Sequence, residues 1–206
     1  MKIKNLISAG VFILVIISII SVISVFTGCS KMNPKIQFEL ENGDIFIVEL
    51  YPKYAPKTVD NFVKLTEEGF FDGLTFHRIV DGFMAQGGGY DTQGQKKPAQ
   101  TVKGEFESNG YKKNTLKHTK GVISMARSDT SQSGDPIPGY NSASSEFFIM
   151  LGSAPYLDGD YAAFGKVIEG MKAVEKLQKV ERTIGFDGAI SSPVEPVVIK
   201  KVTVIS

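Results

Sequence analysis

Hydrophobic and polar residues alternate with period two over Lys35-Ile-Gln-Phe-Glu-Leu40, the pattern of a strand with one buried face. Asn42-Gly43 follows, a strong tight-turn signal, and then Asp44-Ile-Phe-Ile-Val-Glu-Leu-Tyr51, so the two runs read as a hairpin. The second run is nearly all apolar and reads as a strand buried on both faces. Pro52 and Pro56 punctuate the chain next. Val59, Phe62, Val63 and Thr66 then recur at helical spacing, with Pro56 suited to the first turn and Gly69 to the residue past the end. The spacing predicts a helix over 56–68 with one apolar stripe, shaped to cap a sheet.

Short strands are predicted near 74–80 and 83–87, over Gly121–Ala126, Glu146–Leu151 and Tyr161–Ile168, and along the β-branched run Val197–Ile205. Residues 90–120 are polar and weakly periodic, and read as a long surface excursion. Residues 128–145, rich in Gly, Pro and Ser, read as a second loop. Met171–Val180 reads as a second helix, with Val174, Leu177 and Gln178 along one side. Strands that mostly do not alternate with helices argue against a doubly wound sheet. They fit a mainly β fold, a closed antiparallel barrel of about eight strands capped at its ends by two helices.

Composition changes this picture little. The 206 residues are 42% hydrophobic and 22% charged, ample for one core without staples. Formal net charge is +1, which leaves no electrostatic footprint for nucleic acid. The start of the chain matters more. Lys2 and Lys4 precede Ala9–Phe26, an uncharged apolar run, and Phe26-Thr-Gly-Cys29 follows. A basic start, an apolar core and small residues at a cut site make a secretory signal over residues 1–28. The junction resembles a bacterial lipobox, which implies a diacylglyceryl group on Cys29 and a lipid anchor in the membrane. Residues 29–34 are then a tether, and residues 35–206 a domain outside the cytoplasmic membrane. An uncleaved spanning anchor is the alternative. Cys29 is the only Cys in the chain, so no internal disulfide is possible, and lipidation gives the odd Cys a purpose.

The candidate chemistry lies in Phe76-His-Arg-Ile-Val-Asp-Gly-Phe-Met-Ala-Gln-Gly-Gly88. Asp81-Gly82 joins two short extended runs that carry a permanent cation, two large apolar side chains and an amide. Strand alternation places Arg78 on the same face as Phe76 and His77 on the other. Gly87 to Gly89 remove side chains where the chain or a ligand must come close. An apolar floor beside one guanidinium suits a neutral, mostly apolar substrate better than a phosphate.

This stretch resembles the signature of cyclophilin-type peptidyl-prolyl cis–trans isomerases. The likeness continues in order through Pro56-Lys-Thr-Val-Asp-Asn-Phe62, Gly121-Val-Ile-Ser-Met-Ala126, Ser145-Glu-Phe-Phe-Ile149, Leu157-Asp-Gly159 and Phe164-Gly-Lys-Val167. The resemblance implies an eight-stranded barrel with two capping helices. It places the catalytic groups on Arg78, Phe83 and Gln86. It places a proline pocket on Phe83, Met84, Phe148 and Leu157, and a substrate edge on Ala126, Arg127 and Ser128. Proline-containing, unfolded or flexible polypeptides are the implied partners, and the domain is expected to act as a monomer. Glu146 stands where many members have Gln, and Tyr161 where a His often borders the pocket; both are carried as substrate-binding positions. Tyr156 stands where many members carry Trp, so weak cyclosporin binding is expected.

Rotation about an Xaa–Pro bond makes and breaks no covalent bond, so no metal or cofactor is expected. His77 is expected to be a satisfied structural residue, and His118, in a polar segment, is given no role. Asp129 and Asp135 are a weak signal for a cation. Gly87–Gly89 precede no helix and make no dinucleotide fingerprint. Two other readings compete: a non-catalytic binder of proline-containing segments, and a surface ligand-binding lipoprotein.

Overall fold

The computed structural model describes residues 32–129 and 137–206. The expected signal segment 1–28, Cys29, the first tether residues and Asp135 lie outside the described residues. Asn33–Ser206 forms one compact unit. Among the described residues no helix is long and apolar enough to cross a membrane.

Alternation does what the sequence predicts in β1 (Lys35–Leu40), where Ile36, Phe38 and Leu40 are buried. The turn to β2 (Ile45–Leu50) is closed by the Asn42 side chain, which accepts from the Asp44 N–H at 3.0 Å. β2 corrects one expectation. Phe46, Val48 and Leu50 are buried, but Ile45 is exposed and Ile47 only half-buried. The barrel has a single interior, and its outer face is covered only where other elements lie against it.

α1 (Pro56–Glu67) begins on Pro56 and has no cap from its own N-cap residue, Ala55. Glu105, from the long 90–120 segment, does this instead. Its carboxylate accepts from the Lys57 N–H at 3.1 Å, and from the Thr58 N–H and hydroxyl, each at 2.8 Å. That segment runs largely exposed over the surface, as expected, but Glu105, Phe106, Asn114 and His118 are buried and anchor it. Phe62 carries α1 into the core, its ring 4.8 Å from that of Phe71 and 5.1 Å from that of Phe164.

The remaining elements are β3 (Thr75–Val80), β4 (Met84–Gly87), β5 (Val122–Met125), a single turn α2 (Ile137–Tyr140), β6 (Phe147–Met150), β7 (Ala163–Glu169), α3 (Met171–Lys176), β8 (Arg182–Ile184), β9 (Ile190–Pro193) and β10 (Val197–Val204). Eight strands close an antiparallel barrel in the order β1-β10-β3-β4-β6-β5-β7-β2, as expected. α3 is shorter than predicted, because Leu177–Lys179 tighten into a 3₁₀ turn. β8 and β9 form a separate two-stranded hairpin from residues 181–196, a stretch whose pattern predicted no element.

Candidate active site

The site stands on the outer face of β4, β6 and β5, which are neighbours in the barrel. Ala85, Ile149 and Ile123 point into the barrel core. The alternate positions Met84, Phe148, Met150 and Val122 point outward and join Ala154, Leu157 and Ala163 in a second apolar cluster. Strand alternation thus builds two cores from one sheet. Phe83, Ala126 and Tyr161 pack on the rim of the outer one.

β3 delivers Arg78 to this outer face through a β-bulge, which corrects the expectation from simple alternation. Phe76 pairs with Gly87 and Arg78 with Gln86, so three residues of β3 oppose two of β4. Phe76 and Ile79 both enter the barrel core. Arg78 and Gln86, directly opposite, both line the outer groove. Bulges re-aim side chains in this way. The glycines after Gln86 permit the close packing behind it: a Cβ on Gly88, where φ is +82°, would lie 2.6 Å from the Phe147 ring.

The groove has a volume of about 570 Å³. Arg78, Phe83, Met84, Gln86, Ala126, Arg127, Phe148, Leu157 and Tyr161, all expected at the site, line it. Met84, Phe148 and Leu157 form a dry floor, each less than a tenth exposed. Tyr161 stands edge-on to Phe148 at 5.8 Å, and the exposed Tyr156 ring lies 6.0 Å from Phe83. Arg127 turns its side chain away from a free role. Its guanidinium lies 4.5 Å over the Tyr161 ring, and Nε donates to the Asp160 carbonyl at 3.0 Å.

Two expected positions are not in the lining. The Ser128 N–H donates to Ser142 Oγ at 2.7 Å. Glu146 sits behind Gln86: Oε2 accepts from Gln86 Nε2 at 3.0 Å, and Oε1 pairs with Lys96 Nζ at 2.9 Å. Both residues therefore stand beside the groove. His77 Nε2 lies 3.5 Å from Glu146 Oε2, and neither ring nitrogen makes a hydrogen bond within the described residues. His77 stays a structural residue, as expected, with the Glu146 carboxylate as a polar neighbour at a distance longer than a good hydrogen bond. Burial pushes its pKa down, with Glu146 opposing.

His118 is a second correction. It is fully buried, with Nδ1 3.0 Å from Asp158 Oδ1 and Nε2 3.1 Å from Ser124 Oγ. Its ring stacks near Phe148, centroids 6.1 Å apart. The connectivity is that of a Ser-His-Asp triad, but Ser124 is 0% exposed, so no substrate can reach its hydroxyl. The constellation braces the back of the apolar floor. Burial lowers the His118 pKa, against the pull of Asp158.

Phe186 and Asp187, from the β8–β9 turn, also line the groove and were not found from the sequence. Gly185-Phe-Asp-Gly188 between Ile184 and Ile190 is the available hairpin signal. Asp187 Oδ2 accepts from Arg78 Nε at 2.6 Å. Donation from Arg78 comes first among the causes that hold the Asp187 carboxyl down at about 2. Among the described residues no group of three or more His, Cys, Asp or Glu is placed to hold a metal.

A solvent-open apolar recess with the Arg78 guanidinium at its mouth, and the Arg127 guanidinium laid over Tyr161, suits a neutral, ring-sized apolar group. Comparison with known proteins agrees. Residues 35–204 match the family described as cyclophilin type peptidyl-prolyl cis-trans isomerase/CLD. The chain is 40% identical over 140 residues to peptidyl-prolyl cis-trans isomerase B of Bacillus subtilis (strain 168), covering 68% of this chain and 87% of that one. It is also 40% identical over 141 residues to peptidyl-prolyl cis-trans isomerase cypE of Dictyostelium discoideum, covering 68% and 81%. A cyclophilin type isomerase of Cryptosporidium parvum, crystallised in the presence of the dipeptide Ala-Pro, superimposes with a TM-score of 0.66 at 26% identity, covering 84% of this chain and 99% of that one. This chain belongs to the cyclophilin-type peptidyl-prolyl cis–trans isomerase family.

Proposed function

We propose that the protein is a monomeric prolyl isomerase, lipid-anchored through Cys29 outside the cytoplasmic membrane, that assists the folding of exported polypeptides. The observation that carries the catalytic part is the Arg78 guanidinium beside a recess floored by Met84, Phe148 and Leu157. Planar Xaa–Pro bonds exchange over a barrier of about 18–20 kcal/mol because rotation breaks amide resonance. In the twisted transition state the proline nitrogen turns pyramidal and regains its lone pair. A donor aimed there binds the transition state better than either planar isomer, and that difference is the catalysis. Arg78, always charged, is the donor. The recess clamps the proline ring, while Gln86 and the backbone at 126–127 hold the flanking peptide.

The test is the isomerisation rate on a short Ala-Pro peptide. Arg78→Ala should lower kcat/KM at least about tenfold, which is about 1.4 kcal/mol of transition-state binding. A folded Arg78→Ala protein with the wild-type rate would refute the assignment. If wild type adds nothing to the spontaneous rate, the groove is a binding site only.

The location rests on Lys2, Lys4, the apolar run and Cys29. Exported chains arrive unfolded, and uncatalysed prolyl isomerisation takes roughly 10–100 s, slow enough to limit their folding. Fatty-acid label should enter the wild-type protein in cells and be absent from Cys29→Ala. Label retained in Cys29→Ala would exclude that anchor.

A further inference from the structure

The Arg78 guanidinium is gripped from outside the barrel. Asp187 sits in the turn between β8 and β9, and its carboxylate is fixed by its own hairpin. Oδ1 accepts from Ser191 Oγ at 2.7 Å and from the Ala189 N–H at 3.1 Å. That leaves Oδ2 for Arg78 Nε, at 2.6 Å. The hairpin is itself tied down. Arg182 of β8 makes a two-pronged pair with Asp81, at 2.7 and 2.8 Å, on the turn that carries Phe83. Gly185 N–H donates to the Ala189 carbonyl at 2.8 Å, closing the tip, and β9 packs along β3. The acceptor is thus held by contacts of its own hairpin that do not involve Arg78.

The geometry separates a positioning contact from a blocking one. A carboxylate that competed with substrate would take the terminal amino groups of the guanidinium. Asp187 takes Nε, on the stem side, while Nη1 rests 3.7 Å from Met84 Sδ at the apolar floor. An arginine free to sample its rotamers would seldom present its fork to a group held in the recess, and small misplacements of a catalytic group are costly. We infer that Asp187 is a positioning residue that orients the Arg78 guanidinium toward the bound prolyl bond. The carboxyl is ionised throughout the range in which the enzyme would be assayed, since its pKa is held at about 2.

The inference rests on Arg78 as the catalytic donor, and a double-mutant cycle keeps the two apart. Full-length protein in mild detergent is compared as wild type, Arg78→Ala, Asp187→Ala and the double variant, on an Ala-Pro peptide. Asp187→Ala should lose about tenfold in kcat/KM, mainly in kcat. Asp187→Asn, which keeps an acceptor of the same shape, should lose less. Added to Arg78→Ala, Asp187→Ala should cost nothing more, an outcome that a merely structural role would not produce. Wild-type or higher activity in Asp187→Ala beside an impaired Arg78→Ala overturns this inference alone. Losses that multiply in the double variant overturn it too, because Asp187 then acts independently of Arg78. An active Arg78→Ala overturns the catalytic reading as well. If Asp187→Ala does not fold, Asp187→Asn carries the same cycle with the smaller loss.

Discussion

Asp158→Ala tests whether the buried His118 constellation supports the groove. The Asp158 carboxylate accepts the His118 N–H at 2.8 Å and faces its Nδ1 at 3.0 Å. The Lys117 contact at 3.4 Å is largely exposed on the lysine side and adds little. Truncation removes two hydrogen bonds to a charged acceptor. It also leaves donors of a fully buried residue unpaired, at about 1–3 kcal/mol each. The expected loss is therefore about 2–6 kcal/mol, seen in urea unfolding as a lower midpoint with an unchanged slope. kcat/KM should fall as well, because Leu157 precedes Asp158 and Phe148 stacks near His118. The pH dependence has a definite sign. His118 has its folded pKa lowered by burial below 6.5, so below 6.5 the unfolded chain binds the proton that the native state refuses. Stability is full above pH 6.5 and is lost as the pH falls towards the folded value, by up to about 1.4 kcal/mol per pH unit per group. Burial gives His77 the same sign. For Asp158, burial pushes the pKa up, but hydrogen bonds from the His118 backbone and ring, with Lys117, outweigh it and hold the carboxyl below 3.8. Its contribution is present above 3.8 and lost as the pH falls through the lower folded value. Asp158→Ala should keep the decline below pH 6.5, since burial causes it. Wild-type stability that is flat from pH 8 to 5, or an Asp158→Ala protein within about 0.5 kcal/mol of wild type, would refute the reasoning.

Glu105→Ala removes the acceptor that caps α1 and leaves Thr58 buried without it; a loss of about 2–4 kcal/mol is expected. Urea unfolding checks it, and a change under about 0.5 kcal/mol would show that water or another residue caps the helix as well. Tyr156→Trp enlarges an exposed ring that lies 6.0 Å from Phe83. It should tighten inhibition by cyclosporin at least about threefold, read from isomerase inhibition curves, as a larger aromatic surface buries more area. Equal inhibition constants would remove Tyr156 from the ligand-contacting edge.

The parts of this protein written in local periodicity were legible in its sequence, and those written in register were not. Ile36, Phe38 and Leu40 announce an inward face because alternation belongs to one strand alone. The β3 bulge does not, since it exists only as three residues opposed to two, Phe76 to Arg78 against Gly87 and Gln86. That difference separates Arg78, in the groove, from Phe76, in the barrel core, where simple alternation puts both on one face. His118 fails for a related reason. Lys117 and Lys120 around it mark a solvated segment, and only pairing with Asp158, 40 residues on, makes its burial affordable. Asp187 is the extreme case. It meets Arg78 across 109 residues, and nothing in either neighbourhood names the other. Contacts between residues so distant in sequence are fixed by the packing of a whole hairpin against the sheet, a property of no local window. The residue that orients the guanidinium can therefore lie outside every short motif that carries the family likeness, although inside the span 35–204 that matches the family.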